Sequence, residues 1–403
     1  MSGETRPTPP SERLVSLDAL RGFALLGILV VNSWVFAMPE ATLANPTVYG
    51  DFTGANYWAW FVGHVFAQQK FITIFTLLFG AGIILFLEGD KGGYSPAMLY
   101  VRRMGLLVVF GLAHAYLLWY GDILVAYGLC AFAVVLLRPL PAWALTVTGV
   151  ALVAVPSLVE GVAGLVVDPA TIASSWQPAP ETLQREVAAY QGSWADQLEH
   201  RVPTAFQRQT TGLLSYTGLR VSGTMLLGMA LYRWGVLTNG RSSRFYGWLV
   251  LGGASVGLAT ILTGVWYIEA ANWAPEAALF WRQFNYWGSF ALAGAYVGGV
   301  MLYSRWRPKG PLTRALAAVG RTAFSNYILQ TVLATAIFYG HGLGLFGQVS
   351  RVEILGVVVA IWLVQVVASL WWLRYFRYGP LEWLWRVLTY GKRYPLRVDR
   401  SGR

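Results

Sequence analysis

The sequence has 403 residues, of which 56% are hydrophobic and only 12% are charged, and its mean hydropathy is +0.50. Soluble domains normally carry about 25% charged residues, so this chain has too little polar surface for a water-soluble globule, and lipid is its expected solvent. The net charge of +11 is spread between apolar segments, which argues against a nucleic-acid-binding protein. The single cysteine, Cys130, excludes an internal disulfide and a thiolate metal cluster.

Ten apolar segments predict membrane-spanning helices, because a helix needs about 20 mostly apolar residues to cross a bilayer. These segments lie near residues 21–38, 70–88, 104–120, 122–138, 142–165, 211–235, 245–267, 284–304, 317–340 and 353–374. The abundant Trp, Tyr and Phe residues fit this interpretation, since their rings favour the level of the lipid headgroups. The predicted fold class is an all-α integral membrane protein with about ten transmembrane helices.

Lys and Arg residues are concentrated on one side of this ten-helix arrangement. An even number of spans returns the chain to its starting side, and most basic residues at the helix ends fall on that side. The positive-inside rule then places both termini in the cytoplasm. The chain is expected to comprise a cytoplasmic tail (1–16), a transmembrane domain (17–376) with an outer loop at about 166–210, and a basic cytoplasmic segment (377–403).

The last of these segments carries its own helix signal. Pro380 suits the first turn of a helix, and apolar residues then recur at helical spacing at Leu381, Leu384, Trp385 and Leu388. The pattern predicts an interfacial helix on the inner leaflet, followed by the basic tail.

Ionisable groups inside spans are costly, so each requires a polar partner, a water-filled cavity or a function. Asp18 and Arg21 are three residues apart and can pair on one face of the first helix. Asn32 lies three turns further along that face, roughly 16 Å from Arg21. In the ninth span, Asn326 and Gln330 are four residues apart. Both sets are explained either by a substrate path or by structural hydrogen bonds between helices.

Two histidines are candidates for a catalytic base. His64 lies among aromatic residues just before the second span, where desolvation would keep its imidazole neutral and able to take a proton. His114 lies near the outer end of the third span, and Asp122 follows in the next turn, where a carboxylate could orient the imidazole. The alternative role for His64 is an anchor at the membrane interface. The eight-residue separation between His114 and Asp122 does not establish that their side chains are in contact.

The segment 16–32, SLDALRGFALLGILVVN, resembles the start of the YeiB-like family of bacterial membrane proteins, also called domain of unknown function 418. Four other segments extend the resemblance over nearly the whole chain: FTLLFGAG (75–82), WYGDIL (119–124), GRTAFSNYILQ (320–330) and YGPLEWLWR (378–386). The first helix is also similar to that of the transmembrane acyltransferases, which include lysosomal heparan-alpha-glucosaminide N-acetyltransferase and the bacterial acyltransferase-three group.

The position of the catalytic histidine differs among these acyltransferases. In the acyltransferase-three group an Arg is followed eleven residues later by His, whereas Arg21 is followed by Asn32 at that distance. The lysosomal enzyme also has Asn there and carries its catalytic His shortly before the second helix. His64 occupies a similar place in this chain, although the loop that leads to it is longer.

The resemblance implies a transmembrane acyltransferase-like bundle in a bacterial inner membrane. Such a protein would move an acyl group, acetyl in the simplest case, from cytoplasmic acyl-CoA to a hydroxyl or amine of a small-molecule or glycan acceptor near the outer face. His64 would be the base or a transient acyl carrier, with His114 and Asp122 as the alternative. The expected contacts to the coenzyme A moiety are Asp18, Arg21, Asn32, Arg321, Asn326 and Gln330.

Other functions remain open at this point. A transporter of a small solute would use the same polar stripes as a route, and a non-catalytic scaffold or lipid-binding protein would use them to fix helix register. No metal site is expected, because no pair of histidines stands at ligand spacing on a helix. The lipid bilayer is the expected environment, and a homodimer remains possible.

Overall fold

The computed structural model describes residues 15–89, 91 and 93–398. Most of the predicted tail 1–16 and the last five residues lie outside this range. The regular secondary structure of the described residues consists of helices and one isolated antiparallel bridge between Phe376 and Arg397. The helices are α1 (Val15–Ala37), α2 (Gly54–Phe66), α3 (Lys70–Glu88), α4 (Pro96–Leu117), α5 (Leu124–Val134), α6 (Ala142–Val166), α7 (Pro169–Trp176), α8 (Pro180–Gln191), α9 (Asp196–Gln209), α10 (Gly218–Arg233), α11 (Ser243–Ala270), α12 (Pro275–Trp306), α13 (Pro311–Arg321), α14 (Ala323–Phe338), α15 (Arg351–Tyr375) and α16 (Pro380–Tyr390).

Six helical segments in the described chain are long and apolar enough to cross a membrane. They are Val15–Ala37, Gly54–Glu88, Pro96–Leu117, Ala142–Val166, Ser243–Ala270 and Arg351–Tyr375. This confirms an all-helical membrane protein. The other four predicted spans correspond to α5, α10, α12 and α14, which are not both long enough and apolar enough by the same measure. Of these, α5 and α14 are apolar but short.

Several helix boundaries differ from those that the sequence predicted. The predicted span 317–340 is divided into α13 and α14 at Thr322, whose backbone is not helical. His64 lies inside a helix, α2, which is separated from α3 by Gln69 in the left-handed conformation. The predicted outer loop contains three helices, α7 to α9.

Local signals explain where other helices begin. α16 begins at Pro380, as predicted. α15 begins with a capping box, in which the Ser350 hydroxyl accepts from the Glu353 amide and the Glu353 carboxylate accepts from the Ser350 amide.

Glycines bring α1 and α13 into backbone contact. A Cβ atom on Gly22 would lie 1.9 Å from the Leu316 carbonyl oxygen, and one on Gly320 would lie 1.9 Å from that of Asp18. Small residues permit such close crossings between membrane helices. Arg21 directly precedes Gly22, and Arg321 directly follows Gly320. The crossing therefore brings the two arginines near each other.

The short helix α16 packs onto the bundle through Glu382 and Trp385. The Glu382 carboxylate accepts hydrogen bonds from the amides of Phe324 (2.7 Å) and Ser325 (3.1 Å), so it caps the first turn of α14. The Trp385 indole donates to the Arg103 carbonyl oxygen at 3.0 Å. α16 is thereby tied to both α4 and α14.

Candidate functional site

A cavity of about 280 Å³, here called the central cavity, lies between α1, α3, α4, α5, α13, α14 and α16. Three arginines, Arg21, Arg103 and Arg321, line the end nearest α16 and are called the arginine mouth. The walls are otherwise mostly apolar or aromatic. The opposite, deep end is lined by Ile123, Leu124, Tyr127 and Tyr327.

Positive charge dominates the arginine mouth. Arg21 pairs with Asp18 at 2.8 Å, as the spacing predicted. The Arg103 guanidinium lies 3.7 Å from the centre of the Trp385 ring. Glu382 also lines the cavity, and burial raises the pKa of its carboxyl group although hydrogen bonds from Ser325 oppose this shift. Two carboxylates lie beside these three guanidinium groups: Asp18 is paired with Arg21, and Glu382 caps α14. The excess positive charge favours an anionic ligand such as a phosphate.

Beyond the deep end lie three hydrogen-bonded side chains, called the His114 triad. His114 Nδ1 lies 2.8 Å from Asp122 Oδ1, and His114 Nε2 lies 2.9 Å from Thr331 Oγ1. The side chains of His114 and Asp122 are each only 1% exposed. In a neutral imidazole whose Nδ1–H donates to this carboxylate, Nε2 carries the lone pair and accepts from the Thr331 hydroxyl.

Two features place the triad next to the central cavity. The Tyr327 ring lines the cavity and lies 5.0 Å from the His114 ring. Thr331 follows Tyr327 by one turn of α14, on the same helix face. Gly111 allows the turn with Asp122 to pack on α4, because a Cβ there would come within 2.6 Å of the Val125 nitrogen. The contact that the eight-residue spacing left open is therefore made.

His64 has different surroundings and does not line the central cavity. Its ring is stacked between Trp60 and Trp281, with ring centres 5.1 Å and 5.3 Å away. Its Nδ1 atom lies 2.5 Å from Gln68 Oε1, a neutral acceptor. The structure thus separates the two predicted histidines into different sites, and only His114 joins the predicted Asp122.

Asn326 and Gln330 face away from the central cavity. The Asn326 amide donates to Ser369 Oγ at 2.9 Å, and the Gln330 amide donates to Gln365 Oε1 at 3.0 Å. Both bonds join α14 to α15, which is the structural alternative considered for this polar stripe. Asn32 is half-buried on α1 and is likewise absent from the cavity lining. Of the six predicted coenzyme A contacts, the cavity collects Arg21 and Arg321, and Asp18 joins them through its ion pair.

Sequence reasoning missed Thr331, Arg103 and Glu382. A threonine in a membrane helix is common, and the only local signal for Thr331 was its four-residue spacing from Tyr327. Arg103 and Glu382 stood among other charged residues at helix ends. Within residues 15–89, 91 and 93–398, no three His, Cys, Asp or Glu side chains are grouped to hold a metal ion.

A second ionisable cluster lies in the helices of the outer loop. Glu186 on α8 accepts a hydrogen bond from the Glu40 amide at 3.0 Å, and His200 on α9 lies 3.7 Å from the same carboxylate oxygen. Glu40 also pairs with Arg208. Burial raises the pKa of Glu186 to about 7 and lowers the pKa of His200 below its usual value. Glu186 therefore titrates near neutral pH.

The sequence is 35% identical over 388 residues to a protein of Escherichia coli (strain K12) described as "Uncharacterized protein YeiB", and the match covers 94% of this chain and 96% of that relative. The chain belongs to the YeiB-like family. A similar protein of Bacillus subtilis (strain 168), YxaH, is 32% identical over 404 residues and covers 96% of each chain. An uncharacterized 39.9 kDa protein of Bacillus acidopullulyticus is 25% identical over 397 residues, covering 98% of this chain and 99% of that protein.

The family described as "Protein of unknown function (DUF418)" matches residues 231–392. This range includes Arg321, Thr331 and Glu382, whereas Arg21 and His114 precede it. The central cavity and the His114 triad are thus built from both sides of that boundary.

Proposed function

We propose that this YeiB-like protein is a membrane-embedded acyltransferase. It moves an acyl group, acetyl in the simplest case, from acyl-CoA at the arginine mouth to a hydroxyl or amine acceptor near the opposite face. The observation that carries the proposal is one cavity that leads from three arginines to the immediate neighbourhood of the His114 triad.

The arginine mouth suits the nucleotide part of the donor. Arginine forks match phosphate oxygens, and three guanidinium groups line this end of the cavity. A charged nucleotide does not enter an apolar cavity, so it stays at the mouth. The slim pantetheine arm fits a mostly apolar space of about 280 Å³ and carries the thioester to the deep end.

At the deep end, His114 acts as the general base. Asp122 fixes the tautomer with Nε2 unprotonated, and the acceptor takes the place of the Thr331 hydroxyl at Nε2. The acceptor's proton passes to Nε2 while its oxygen or nitrogen bonds to the acyl carbon. The carbon–sulfur bond then breaks, and the leaving thiolate takes the proton from His114. General acid–base catalysis of this kind contributes about 10² to 10⁴ in rate.

Tyr327 is placed to stabilise the negative charge that develops on the thioester oxygen. Its side chain lines the cavity, and its hydroxyl oxygen accepts from the Ile123 amide at 3.3 Å, so its own O–H is left to donate to the thioester oxygen. Donors fixed at such a position stabilise the transition state more than the ground state.

The proposal includes the topology that the sequence predicted. The bundle crosses a bacterial inner membrane ten times, with α5, α10, α12 and α14 completing the set and both termini in the cytoplasm. The arginine mouth then faces the cytoplasmic acyl-CoA pool. Single cysteines placed in α16 and in α8 test this orientation, since an impermeant thiol reagent on whole cells should label only the position in α8.

Binding of acetyl-CoA to the purified protein in nanodiscs tests the function. We expect Arg103→Gln and Arg321→Gln each to weaken binding about tenfold, because each removes a charged contact to a phosphate. The matched control is Arg102→Gln, which makes the same change at an exposed neighbour of Arg103. Absence of acetyl-CoA binding, together with solute counterflow in proteoliposomes, would overturn the proposal in favour of a transporter.

A further inference from the structure

Two basic side chains meet between α3, α10 and α12, away from the arginine mouth. Lys70 is fully buried, and its ammonium donates to the His64 carbonyl oxygen at 2.7 Å and to Asn285 Oδ1 at 2.5 Å. Arg220 on α10 approaches Thr73 Oγ1 and Ser289 Oγ through its Nη2 atom, at 3.4 Å and 3.5 Å.

The contacts show how close the two cations are. Thr73 follows Lys70 by three residues on α3, and Ser289 follows Asn285 by four residues on α12. Arg220 therefore contacts α3 and α12 one helical turn, about 5 Å, beyond Lys70 and its partner Asn285.

Among the described residues, no carboxylate lies within 4 Å of Lys70 or Arg220 to compensate these charges. The acidic side chains that form ion pairs there belong to other bases. The contrast is clear on α12 itself, where Arg282 pairs with Glu160 at 3.0 Å. A basic group within a membrane bundle normally has a partner of this kind.

Arg220 cannot escape the cost by losing its proton. Its guanidinium lies 4.6 Å from the Tyr286 ring centre, and the two bonds from Nη2 are both long. The residue is only half-buried, and of its five N–H donors those on Nη2 alone have hydrogen bonds to the described residues.

We propose that Arg220, supported by Lys70, forms an anion subsite for a carboxylate group of the substrate. A planar guanidinium pairs with a carboxylate through two parallel hydrogen bonds, and a second cation one turn away adds attraction without competing for the same oxygens.

The position of the subsite points to the acyl group as the source of that carboxylate. Tyr127 lines the deep end of the central cavity, and its hydroxyl lies 2.5 Å from Thr76 Oγ1. Thr76 stands one turn from Thr73, which contacts Arg220. A dicarboxylic acyl group whose thioester lies at the deep end would reach Arg220 with its free carboxylate. This assignment of the source rests on the proposed function, whereas the subsite itself does not.

Binding measurements with succinyl-CoA, acetyl-CoA and free succinate test the inference. We expect the purified parent protein to bind succinyl-CoA about tenfold more tightly than acetyl-CoA. Arg220→Gln should remove this preference and leave acetyl-CoA binding unchanged, and Arg220→Lys should restore part of it. Arg233→Gln is the matched control, because it makes the same change at the other end of α10 and should keep the preference.

The outcomes separate the subsite from the proposed function. If succinate raises the melting temperature of the parent but not of Arg220→Gln, while the two acyl-CoA esters bind alike, the subsite stands and the carboxylate belongs to the acceptor. If succinate stabilises through Arg220 and neither ester binds, the subsite stands and the acyltransferase proposal fails. If parent and both Arg220 variants respond alike to succinate and to succinyl-CoA, the subsite is refuted.

Discussion

His64 and His114 are both buried histidines at the ends of membrane helices, yet their neighbours differ in kind. His114 has a carboxylate on one ring nitrogen and a hydroxyl on the other. His64 has a neutral amide oxygen on Nδ1 and an indole ring on each face. One imidazole therefore lies within a chain of proton donors and acceptors, and the other is held as a flat ring in a stack.

The difference shows what a buried base needs besides an apolar environment. A histidine that takes a proton becomes a cation, and a carboxylate beside it stabilises that cation far more than an amide does. Lys70 donates to the carbonyl of His64, so a second positive charge there would be disfavoured. Aromatic surroundings made His64 the favoured base in the sequence, whereas the geometry favours His114.

The largest expected effect distinguishes these two histidines directly. His114→Gln should lower acyl transfer by about 10² to 10⁴, because it removes the base and keeps the volume. His64→Gln should lower it by less than about tenfold, as expected for a packing residue. Rates with saturating acetyl-CoA measure both. The opposite order would return the catalytic role to His64.

A second substitution tests the carboxylate that distinguishes the two sites. Asp122→Asn should cost nearly as much as loss of His114, about 10³ in rate, since the wrong tautomer then faces the acceptor. Gln68→Glu is its counterpart at His64 and should leave the rate within a few fold. Turnover at several pH values checks both variants, and full activity of Asp122→Asn would exclude His114 as the base.

The hydroxyl at the far side of His114 has a smaller expected effect, on stability. Thr331→Val removes the donor and leaves a buried ring nitrogen unsatisfied, which should cost about 1 to 3 kcal/mol. Thr331→Ser keeps the hydroxyl and should lose less than half of that. Thermal unfolding in detergent compares the two variants. A Thr331→Val variant as stable as the parent, with a less stable Thr331→Ser variant, would mean that packing of the methyl group, and not the hydrogen bond, matters there.

The last expected effect concerns the pH dependence of stability in the outer loop, away from the two histidines. The folded pKa of Glu186, about 7, is above its ordinary value of 4.5, so the folded state holds the proton more tightly. Stability should therefore fall as pH rises from about 4.5 to 7, by at most about 3 kcal/mol. Glu186→Gln should flatten this part of a melting-temperature profile. An unchanged slope would place the titration elsewhere.

Local features of the fold could be predicted closely from the sequence. Helix α3 has the bounds of the predicted span 70–88, and α16 begins at Pro380. The pair between Asp18 and Arg21 follows from helical spacing alone. Each of these depends on residues within a few turns of one another, where hydrophobic period and capping chemistry decide the outcome.

Contacts between distant segments could not be predicted in this way. His114 and Thr331 are separated by 217 residues, and only the packing of α4 against α14 joins them. The break at Thr322 depends on the crossing at Gly320 and on the cap from Glu382, neither of which shows in the local pattern. The stripe of Asn326 and Gln330 was recognised, but the helix that it faces was not.

The cap on α14 has a mechanical consequence. Glu382 belongs to the cavity lining and also holds the first turn of α14, while Thr331 lies on the same helix about 10 Å further along. An α-helix transmits displacement along its axis with little compression. In the proposed mechanism, a ligand that attracts or repels Glu382 at the arginine mouth displaces the first turn of α14, and Thr331, about two turns further along, carries a hydrogen bond to His114. Entry of the donor would thereby be coupled to alignment of the reacting groups.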